Sequence, residues 1–325
     1  MQYSGTSAKR PAELVGEIID SNYALQLIRG FKENFPGEVA VIPIASKTIF
    51  NSVKDIPNVS GIRFMYGMGS ADDPASKVIL LIPGNNTSTH QSIPNTIVQP
   101  EGYLNNEGER VGLRRTWELL YNHAVHYAKL QPEIKFKQIF RGAFFGIDAL
   151  TSLLTKVTEA HSVNYHFGFD ENITDAPLQH KAVLNPLHTD GTQYNVYFDV
   201  ASPCPPDCHL PGDPNGEMNC ITTVVVNGKA PVSEKEKELN IYRGYRDDYF
   251  LKTPDNGPLV EMYYYISPAL TEAIANTGRA KDIYQSLYHN QVTQCNKLIE
   301  EGKYDAAKML FEQTMEYLMK EYLFC

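Results

Sequence analysis

Three of the five cysteines lie close together, at spacings typical of residues that bind a metal or exchange disulfides. Cys204 and Cys208 are four positions apart in a proline-rich segment, His209 follows directly, and Cys220 comes shortly afterwards. Zinc is bound by thiolates and imidazoles in tetrahedral sites, so His209 or Cys220 could complete a site that the C-x₃-C pair begins. The same pair could form a reversible disulfide, or the cysteines could pack as small apolar groups. The pattern leaves these alternatives open, and zinc is the cofactor that it suggests.

Other residues whose side chains could take part in chemistry also have ordinary structural interpretations. Cys220 could act as a nucleophile only beside a histidine base, which the sequence does not place there, so we interpret it as the first residue of a strand. His188-Thr189-Asp190 has the His-x-Asp spacing of iron oxygenases, but it falls in a turn between two predicted strands. His123 and His126 are three apart on a predicted helix, where a solvated or partly packed face is the expected setting.

The elements that must position these residues come from an internal duplication. Residues 44–53 align with 145–154, and Ile62–Met68 align with Val163–Phe169, at the same offset of 101 residues. The next strand, Lys77–Leu81, aligns with Lys181–Asn185 if the second copy contains a three-residue insertion. A long unit that occurs twice indicates a duplicated domain rather than a solenoid of short repeats.

Each copy predicts the same order of elements. An amphipathic helix comes first, then a strand, a short helix and two alternating strands. Such helices and hairpin-connected strands favour an α+β fold with mainly antiparallel sheets. The apolar faces of the two first helices are predicted to hold Ala24, Leu25, Ile28 and Phe31 in copy 1, and Leu120, Ala124, Tyr127 and Ala128 in copy 2. The predicted strands cover 39–44, 61–67 and 77–83 in copy 1, and 139–145, 162–169, 181–187 and 194–200 in copy 2.

Three histidines occur in the second copy alone. His161, His166 and His180 align with Ser60, Met65 and Ser76 of the first copy. The duplicated fold therefore does not require histidine at these positions. They could form a site specific to copy 2, or they could be surface residues that have drifted.

The last third of the chain has a different composition. A loop rich in proline and cysteine begins near residue 202, and helical patterns follow it. Apolar stripes from Tyr284 to Ile299 and from Ala307 to Tyr322, separated by Glu301-Gly302-Lys303, predict an antiparallel helical hairpin. We therefore predict domains at 1–108 and 109–203, the two α+β copies, and at 204–325, the Cys/Pro loop with a mostly helical domain.

Two resemblances accompany this division. Cys220-Ile221-Thr222-Thr223, the Arg246-Asp247 dipeptide and the segment from Tyr263-Tyr264 to Ser267-Pro268 resemble the C-terminal CFI-box region of uncharacterised bacterial proteins, over residues 220–275. The two copies and the Cys-Pro-Pro-x-Cys ending, over residues 20–208, resemble a family of uncharacterised proteins from Bacteroidetes-type bacteria. Neither resemblance implies an activity.

Charge and hydropathy exclude several classes of function. The formal charge of −9 is spread evenly, with no basic cluster, so we expect no binding to nucleic acid. No apolar run of membrane-spanning length and no secretory signal are present, so we expect a cytoplasmic protein with reduced thiols and no membrane association. The sequence thus favours a non-enzymatic binding or scaffolding protein, with a protein partner bound through the C-terminal hairpin. The alternative is a metal- or thiol-dependent protein, possibly an enzyme, with its site around Cys204–Cys220.

Overall fold

The computed structural model describes residues 11–85, 95–97, 99, 101–134, 139–156, 161–174, 176–199, 202–204, 220–250, 252 and 256–322. The chain divides into two compact units, residues 1–208 and 209–325. The predicted α+β class, with antiparallel sheets followed by a helical C-terminal region, is confirmed. The predicted boundary at 108/109 does not separate two units, because both copies build the same sheets.

The first unit contains the strands and helices that the repeat predicts, and the predicted strands begin within three residues of their expected starts. The strands are β1 (Glu17–Ile19), β2 (Val41–Ala45), β3 (Gly61–Met68), β4 (Lys77–Asn85), β5 (Asn95–Thr96), β6 (Tyr103–Asn105), β7 (Arg110–Val111), β8 (Gly142–Gly146), β9 (Ser162–Phe169), β10 (His180–Leu187), β11 (Tyr197–Asp199) and β12 (Ser202–Cys204). The helices are α1 (Ser21–Asn34), α2 (Ser46–Asn51), α3 (Leu113–Leu130), α4 (Ile147–Lys156) and α5 (Ala176–Gln179).

Two antiparallel sheets exchange strands between the copies. One sheet has the order β1-β11-β10-β9-β2, and the other has β12-β8-β3-β4-β6-β7 with β5 beside β4. The short strand of each copy therefore pairs with the hairpin of the other copy. The two exchanged pairings have the same register, since Val41 lies opposite His166 and its equivalent Gly142 lies opposite Met65. The duplication is thus an intertwined pair of copies rather than two domains in tandem.

The hairpin registers correct the alignment of the second strands. Met68 lies opposite Lys77, and its equivalent Phe169 lies opposite His180. The connections run over residues 69–76 and 170–179, so the second copy gains two residues rather than three. The counterpart of His180 is therefore Lys77 and not Ser76.

The two sheets pack face to face around one core. Phe64 stacks on Tyr165 with ring centroids 5.5 Å apart, and Tyr66 meets Phe167 at 4.8 Å. In both pairs the two residues are 101 positions apart, so each ring packs on its equivalent from the other copy. This symmetry places a pseudo-twofold axis between the sheets. Further inward-facing members of the core are Ile42, Ile44, Ile62, Ile79, Leu81, Phe145, Val163, Ala182, Leu184 and Phe198.

The first helix of each copy covers the outer face of one sheet at a glycine. A Cβ on Gly67 would lie 2.9 Å from Cβ of Leu119 on α3, and a Cβ on Gly168 would lie 3.2 Å from Cβ of Leu27 on α1. The predicted apolar face of α1 is buried except at Leu25, which is 48% exposed. In α3, Leu120, Ala124 and Tyr127 are buried as predicted, whereas Ala128 is half-buried.

The second unit is helical throughout its described residues. Its α-helices are α6 (Ile221–Lys229), α7 (Lys235–Tyr245), α8 (Gly257–Asn276), α9 (Ala280–Leu287), α10 (Thr293–Glu300) and α11 (Tyr304–Tyr322), with π-helical segments at Arg246–Phe250 and Tyr288–Val292. The predicted hairpin is present as α10 and α11, joined by a turn in which Gly302 has a φ of 72°. The stripe from Tyr284 to Ile299 is not one regular helix, because the second π segment interrupts it.

Candidate functional site

Only two of the four predicted zinc ligands, Cys204 and Cys220, are among the residues that the structure describes. Cys208 and His209 lie outside the described residues, and Cys204 is described only as the last residue of β12, opposite Gly142. Cys220 begins a helix rather than the predicted strand, and its thiol is buried and free. Within the described part of the chain, no group of three or more histidine, cysteine or acidic side chains could hold a metal ion.

Cys220 instead lines a cavity inside the helical unit. The cavity has a volume of about 80 Å³, within a wider recess of about 710 Å³ that includes space open to solvent, and apolar surface dominates its wall. Every α-helix of the unit except α9 contributes at least one wall residue. The wall consists of Cys220, Thr222, Thr223, Leu239, Tyr242, Arg243, Tyr245, Arg246, Phe250, Val260, Tyr263, Tyr264, Cys295 and Phe311.

One side of the cavity is a neutral hydrogen-bonded cluster around Tyr263. The Tyr263 hydroxyl donates to Oγ1 of Thr222 at 2.7 Å and accepts from the Thr222 backbone N–H at 3.1 Å. The Cys220 thiol touches the same hydroxyl. Since the one phenolic proton is directed to Thr222, the thiol is the donor in that contact. Burial raises the pKa of Cys220, so the thiol stays protonated at neutral pH.

The thiol of Cys295, on α10, has a similar setting. Burial raises the pKa of Cys295, although contacts with Tyr242 and Gln291 offset part of this effect. Gln291 donates to the Tyr242 hydroxyl at 3.2 Å, and Cys295 approaches the carbonyl oxygen of Ala307 at 3.7 Å. Both described cysteines of the unit are therefore neutral, hydrogen-bonded wall residues. A nucleophilic or metal-binding cysteine requires the thiolate instead.

Two arginines provide the formal charge of the wall. Arg243 and Arg246 are three residues apart at the end of α7, so their side chains leave the same side of the helix. Arg246 donates to the Tyr264 hydroxyl at 2.7 Å and pairs with Asp247 at 2.7 Å. Arg243 pairs with Glu236 at 3.0 Å. The described residues of the wall include no aspartate or glutamate.

One π-helical segment borders the cavity, and the other holds one of its wall residues in place. Arg246 and Phe250, the first and last residues of one segment, lie in the wall. The other segment contains Gln291, which holds the Tyr242 hydroxyl, and Cys295 follows one turn later. An extra residue in a helical turn redirects the side chains around it, and such segments occur frequently at functional sites.

The three segments on which the CFI-box resemblance rests meet at this cavity. Cys220 and Thr222 come from the first segment, Arg246 from the second, and Tyr263 and Tyr264 from the third. They are 17 or more residues apart along the chain. Sequence reasoning connected Cys220 with Cys204 and Cys208 instead, so it missed the cavity. The quoted segments were the available signal, since all of them fall within one helical unit.

A second buried polar cluster lies in the first unit. Lys77, whose side chain is 0% exposed, binds Glu38 at 2.6 Å and donates to the Tyr127 hydroxyl at 3.1 Å. His126 binds the other Glu38 oxygen at 2.7 Å. The Lys77 ammonium also lies over the ring of Phe167, 4.7 Å from its centroid. Glu38 and Lys77 belong to copy 1 and His126 and Tyr127 to copy 2, so the cluster joins the copies.

The charges of this cluster shift the pKa values around it. Burial opposes ionisation of Glu38, but Lys77 and His126 together lower its pKa. Burial lowers the pKa of Lys77, and the bond to Glu38 offsets part of that effect. The pKa of His180 falls to about 3, through burial and then the Lys77 charge. The same two causes hold the pKa of His123 well below its usual value.

The other histidines predicted as candidates are dispersed. His161 is exposed, His166 faces the outer side of β9, and His180 faces the core, so the three form no common site. The ring of His188 stacks on Tyr194, and the Asp190 carboxylate accepts two hydrogen bonds from Thr192 in an exposed turn. His123 and His126 are buried, at 0% and 7% exposure, rather than on a solvated face.

No family model, curated protein or solved structure matches this chain. The two resemblances to bacterial proteins therefore stay predictions. In the part of the chain that the structure describes, each helix is too short or too polar to cross a bilayer.

Proposed function

We propose that this protein is a non-enzymatic binding protein that takes a small, largely apolar molecule into the cavity of its helical unit. The observation that carries the proposal is the wall itself, which combines aromatic rings with a few polar groups around empty space. Ligand sites in proteins are concave and mostly apolar, with a small number of placed polar groups. Rings of Tyr242, Tyr263 and Phe311 would supply contact area for a ligand with a ring system.

The chemistry of the wall favours binding over catalysis. Both thiols are protonated through burial and already donate to neighbouring groups. A catalytic cysteine needs an adjacent base or a lowered pKa, and among the residues that the structure describes neither accompanies Cys220 or Cys295. The hydroxyl of Tyr245 likewise donates to the backbone carbonyl of Tyr304 at 2.6 Å. These bonds hold the wall in place.

The predicted protein partner is a weaker proposal. The apolar stripe of the hairpin is used inside its own unit, where Ala307 and Phe311 of α11 pack with Tyr245, Phe250 and Val260. A partner would therefore bind residues outside that stripe, such as the exposed Met309 and Tyr317.

The binding proposal can be tested with N-phenyl-1-naphthylamine, a neutral apolar probe that fluoresces on leaving water. Val260→Phe adds bulk in the wall at a position that is 8% exposed, whereas the matched Val232→Phe adds the same bulk at a position that is 87% exposed. We expect Val260→Phe to weaken probe binding at least about tenfold because the ring occupies ligand space. Val232→Phe should bind like the unsubstituted protein.

A circular-dichroism melt of each variant checks that it is folded, and Val260→Met provides a milder filling change if the phenylalanine destabilises the unit. Equal affinities in the filled and control variants would contradict the proposal, as would no binding by the unsubstituted protein.

A further inference from the structure

The hydrogen bonds around Tyr263 form a chain that ends on a hydroxyl hydrogen of the cavity wall. The Cys220 thiol donates to the Tyr263 hydroxyl, and that hydroxyl donates to Oγ1 of Thr222 at 2.7 Å. Thr222 is 6% exposed and lines the cavity. Its Oγ1 carries a hydrogen of its own besides the one that it accepts. Among the residues that the structure describes, this hydrogen has no acceptor.

Other hydroxyls of the wall direct their hydrogens to the backbone. The Tyr245 hydroxyl donates to the carbonyl oxygen of Tyr304 at 2.6 Å, and the Tyr242 hydroxyl faces the carbonyl oxygen of Val292 at 3.5 Å. The hydrogen of Thr222 differs from these because it is left for whatever fills the cavity. A buried donor without an acceptor costs free energy, and a hydroxyl that accepts a hydrogen bond becomes a stronger donor.

We infer that the ligand of this cavity is a neutral molecule with an apolar, ring-bearing body and one hydrogen-bond acceptor, such as a ketone or ether oxygen, which accepts from Oγ1 of Thr222. This inference rests on the proposed binding function and adds the class of ligand. The body packs against the aromatic rings of the wall, and the acceptor completes the chain that begins at Cys220.

The charges of the wall favour a neutral ligand over an ionised one. Arg246 donates two parallel hydrogen bonds to Asp247. Arg243 donates to Glu236 and to Asn240 at 3.0 Å each. Both guanidinium groups therefore have their partners, and the described wall residues include no carboxylate for a ligand cation. Burying a charge without an opposite charge costs far more than burying a neutral acceptor that receives a hydrogen bond.

Acetophenone and α-methylstyrene separate the acceptor from the body. The two compounds have the same planar shape, and the second has a CH₂ group where the first has its carbonyl oxygen. Isothermal titration calorimetry on the full-length protein gives the ratio of their affinities. In Thr222→Val, which keeps the size of the side chain, we expect this ratio to shift about fivefold against acetophenone through loss of one neutral hydrogen bond.

Further variants separate the hydroxyl from its neighbour. Thr222→Val also removes the acceptor of Tyr263, whose hydrogen can then turn to the ligand. Thr222→Val/Tyr263→Phe removes both hydrogens and should shift the ratio about fivefold or more. Thr222→Ser keeps the hydroxyl and should keep most of the ratio. Thr293→Val is the matched control, because Thr293 is exposed and its hydroxyl donates to the carbonyl oxygen of Tyr288, outside the wall.

The infrared carbonyl stretch of bound acetophenone gives a second readout, since a hydrogen bond lowers its frequency. We expect a lowered frequency in the unsubstituted protein and none of this lowering in Thr222→Val/Tyr263→Phe. If neither Thr222→Val nor the double variant changes the affinity ratio, the acceptor inference is overturned, and the binding function stands as long as Val260→Phe weakens both compounds. If neither compound binds, or Val260→Phe weakens neither, the binding function fails and the acceptor inference fails with it.

Discussion

The two units bury polar groups in opposite ways. In the first unit, Lys77, Glu38 and His126 are charged or chargeable groups enclosed on all sides by one another and by aromatic rings. In the second unit, the thiols and hydroxyls around Tyr263 are neutral and line empty space. A buried charge needs close partners on every side, whereas neutral groups can satisfy one another and leave a free surface. The comparison supports a structural role for the first cluster and the proposed ligand binding for the second.

The largest expected effect is the loss of the Lys77 ammonium. Lys77→Met keeps most of the side-chain volume but leaves Glu38 buried without its cation, so we expect the free energy of unfolding of the first unit to fall by about 3–5 kcal/mol. The single tryptophan, Trp117, is buried in α3, so its fluorescence during denaturant unfolding reports this unit. Lys47→Met, at an exposed position of α2, is the matched control and should change stability by less than about 0.5 kcal/mol.

A double variant decides whether the ion pair is the cause. Lys77→Met/Glu38→Gln removes both charges and should recover part of the loss, because no uncompensated charge remains buried. Simple additivity of the two single changes would show that packing, and not the pair, explains the effect.

Acid should weaken the first unit more than the second. The folded-state pKa of His180 is about 3 and that of His166 about 4, both below the usual 6.5. The unfolded chain therefore binds more protons below pH 6.5, and stability is lost as the pH falls from there toward the folded values. For His180 the loss by pH 4 is on the order of 3 kcal/mol. Glu38 has a lowered pKa in the folded protein, so its protonation also reduces stability, but only below about pH 4.5.

Trp117 fluorescence in denaturant titrations between pH 7 and pH 4.5 measures this slope for the histidines alone. His180→Gln cannot be protonated in this range and should flatten the slope. Among the described residues, the histidines whose pKa values burial lowers all lie in the first unit, so the second unit should respond less over this range. An unchanged slope in His180→Gln would remove this histidine from the account.

The two copies themselves should differ at equivalent glycines. Gly67→Ala places a Cβ 2.9 Å from Leu119, whereas Gly168→Ala makes its nearest contacts at 3.1 and 3.2 Å. Overpacking a well-filled interface costs about 1–3 kcal/mol, and we expect Gly67→Ala to lie nearer the upper end. Thermal unfolding followed at Trp117 compares the two, and a larger loss in Gly168→Ala would contradict the asymmetry.

The smallest effect concerns the cavity thiols. Cys220 and Cys295 are buried and protonated, so we expect iodoacetamide at pH 7 to modify them in the folded protein far more slowly than in denaturant. Mass spectrometry of peptides after partial alkylation gives both rates. Rapid modification of Cys220 in the folded protein would revive the thiol-dependent alternative.

Local pattern in the sequence was sufficient for the repeated elements of the two copies but not for their partners. The offset of 101 residues located β3 and β9 because alternation and the final glycine recur in both copies. Alternation does not specify the neighbouring strand, so the exchange of β2 and β8 between copies could not be read from it. Because residues 77 and 181 are both lysine, the sequence suggested aligning them with each other. The hairpin registers differ from this alignment by one residue and make Lys77 the equivalent of His180.

The candidate site was less accessible to sequence reasoning for a similar reason. Nearness along the chain suggested Cys204, Cys208, His209 and Cys220 as one group, whereas the fold brings Cys220 to Tyr263, 43 residues away. The π segments that redirect Phe250 and Gln291 have no clear sequence pattern. Lys77 did carry a usable signal, since it occupies an inward position on an alternating strand and must therefore find a partner.

The most direct test of the account is a crystal structure of the full-length chain soaked with N-phenyl-1-naphthylamine. The account predicts density for the probe inside the helical unit, in contact with the rings of Tyr242, Tyr263 and Phe311 and near the Cys220 thiol. A structure in which the probe occupies another place while this cavity remains empty would contradict it.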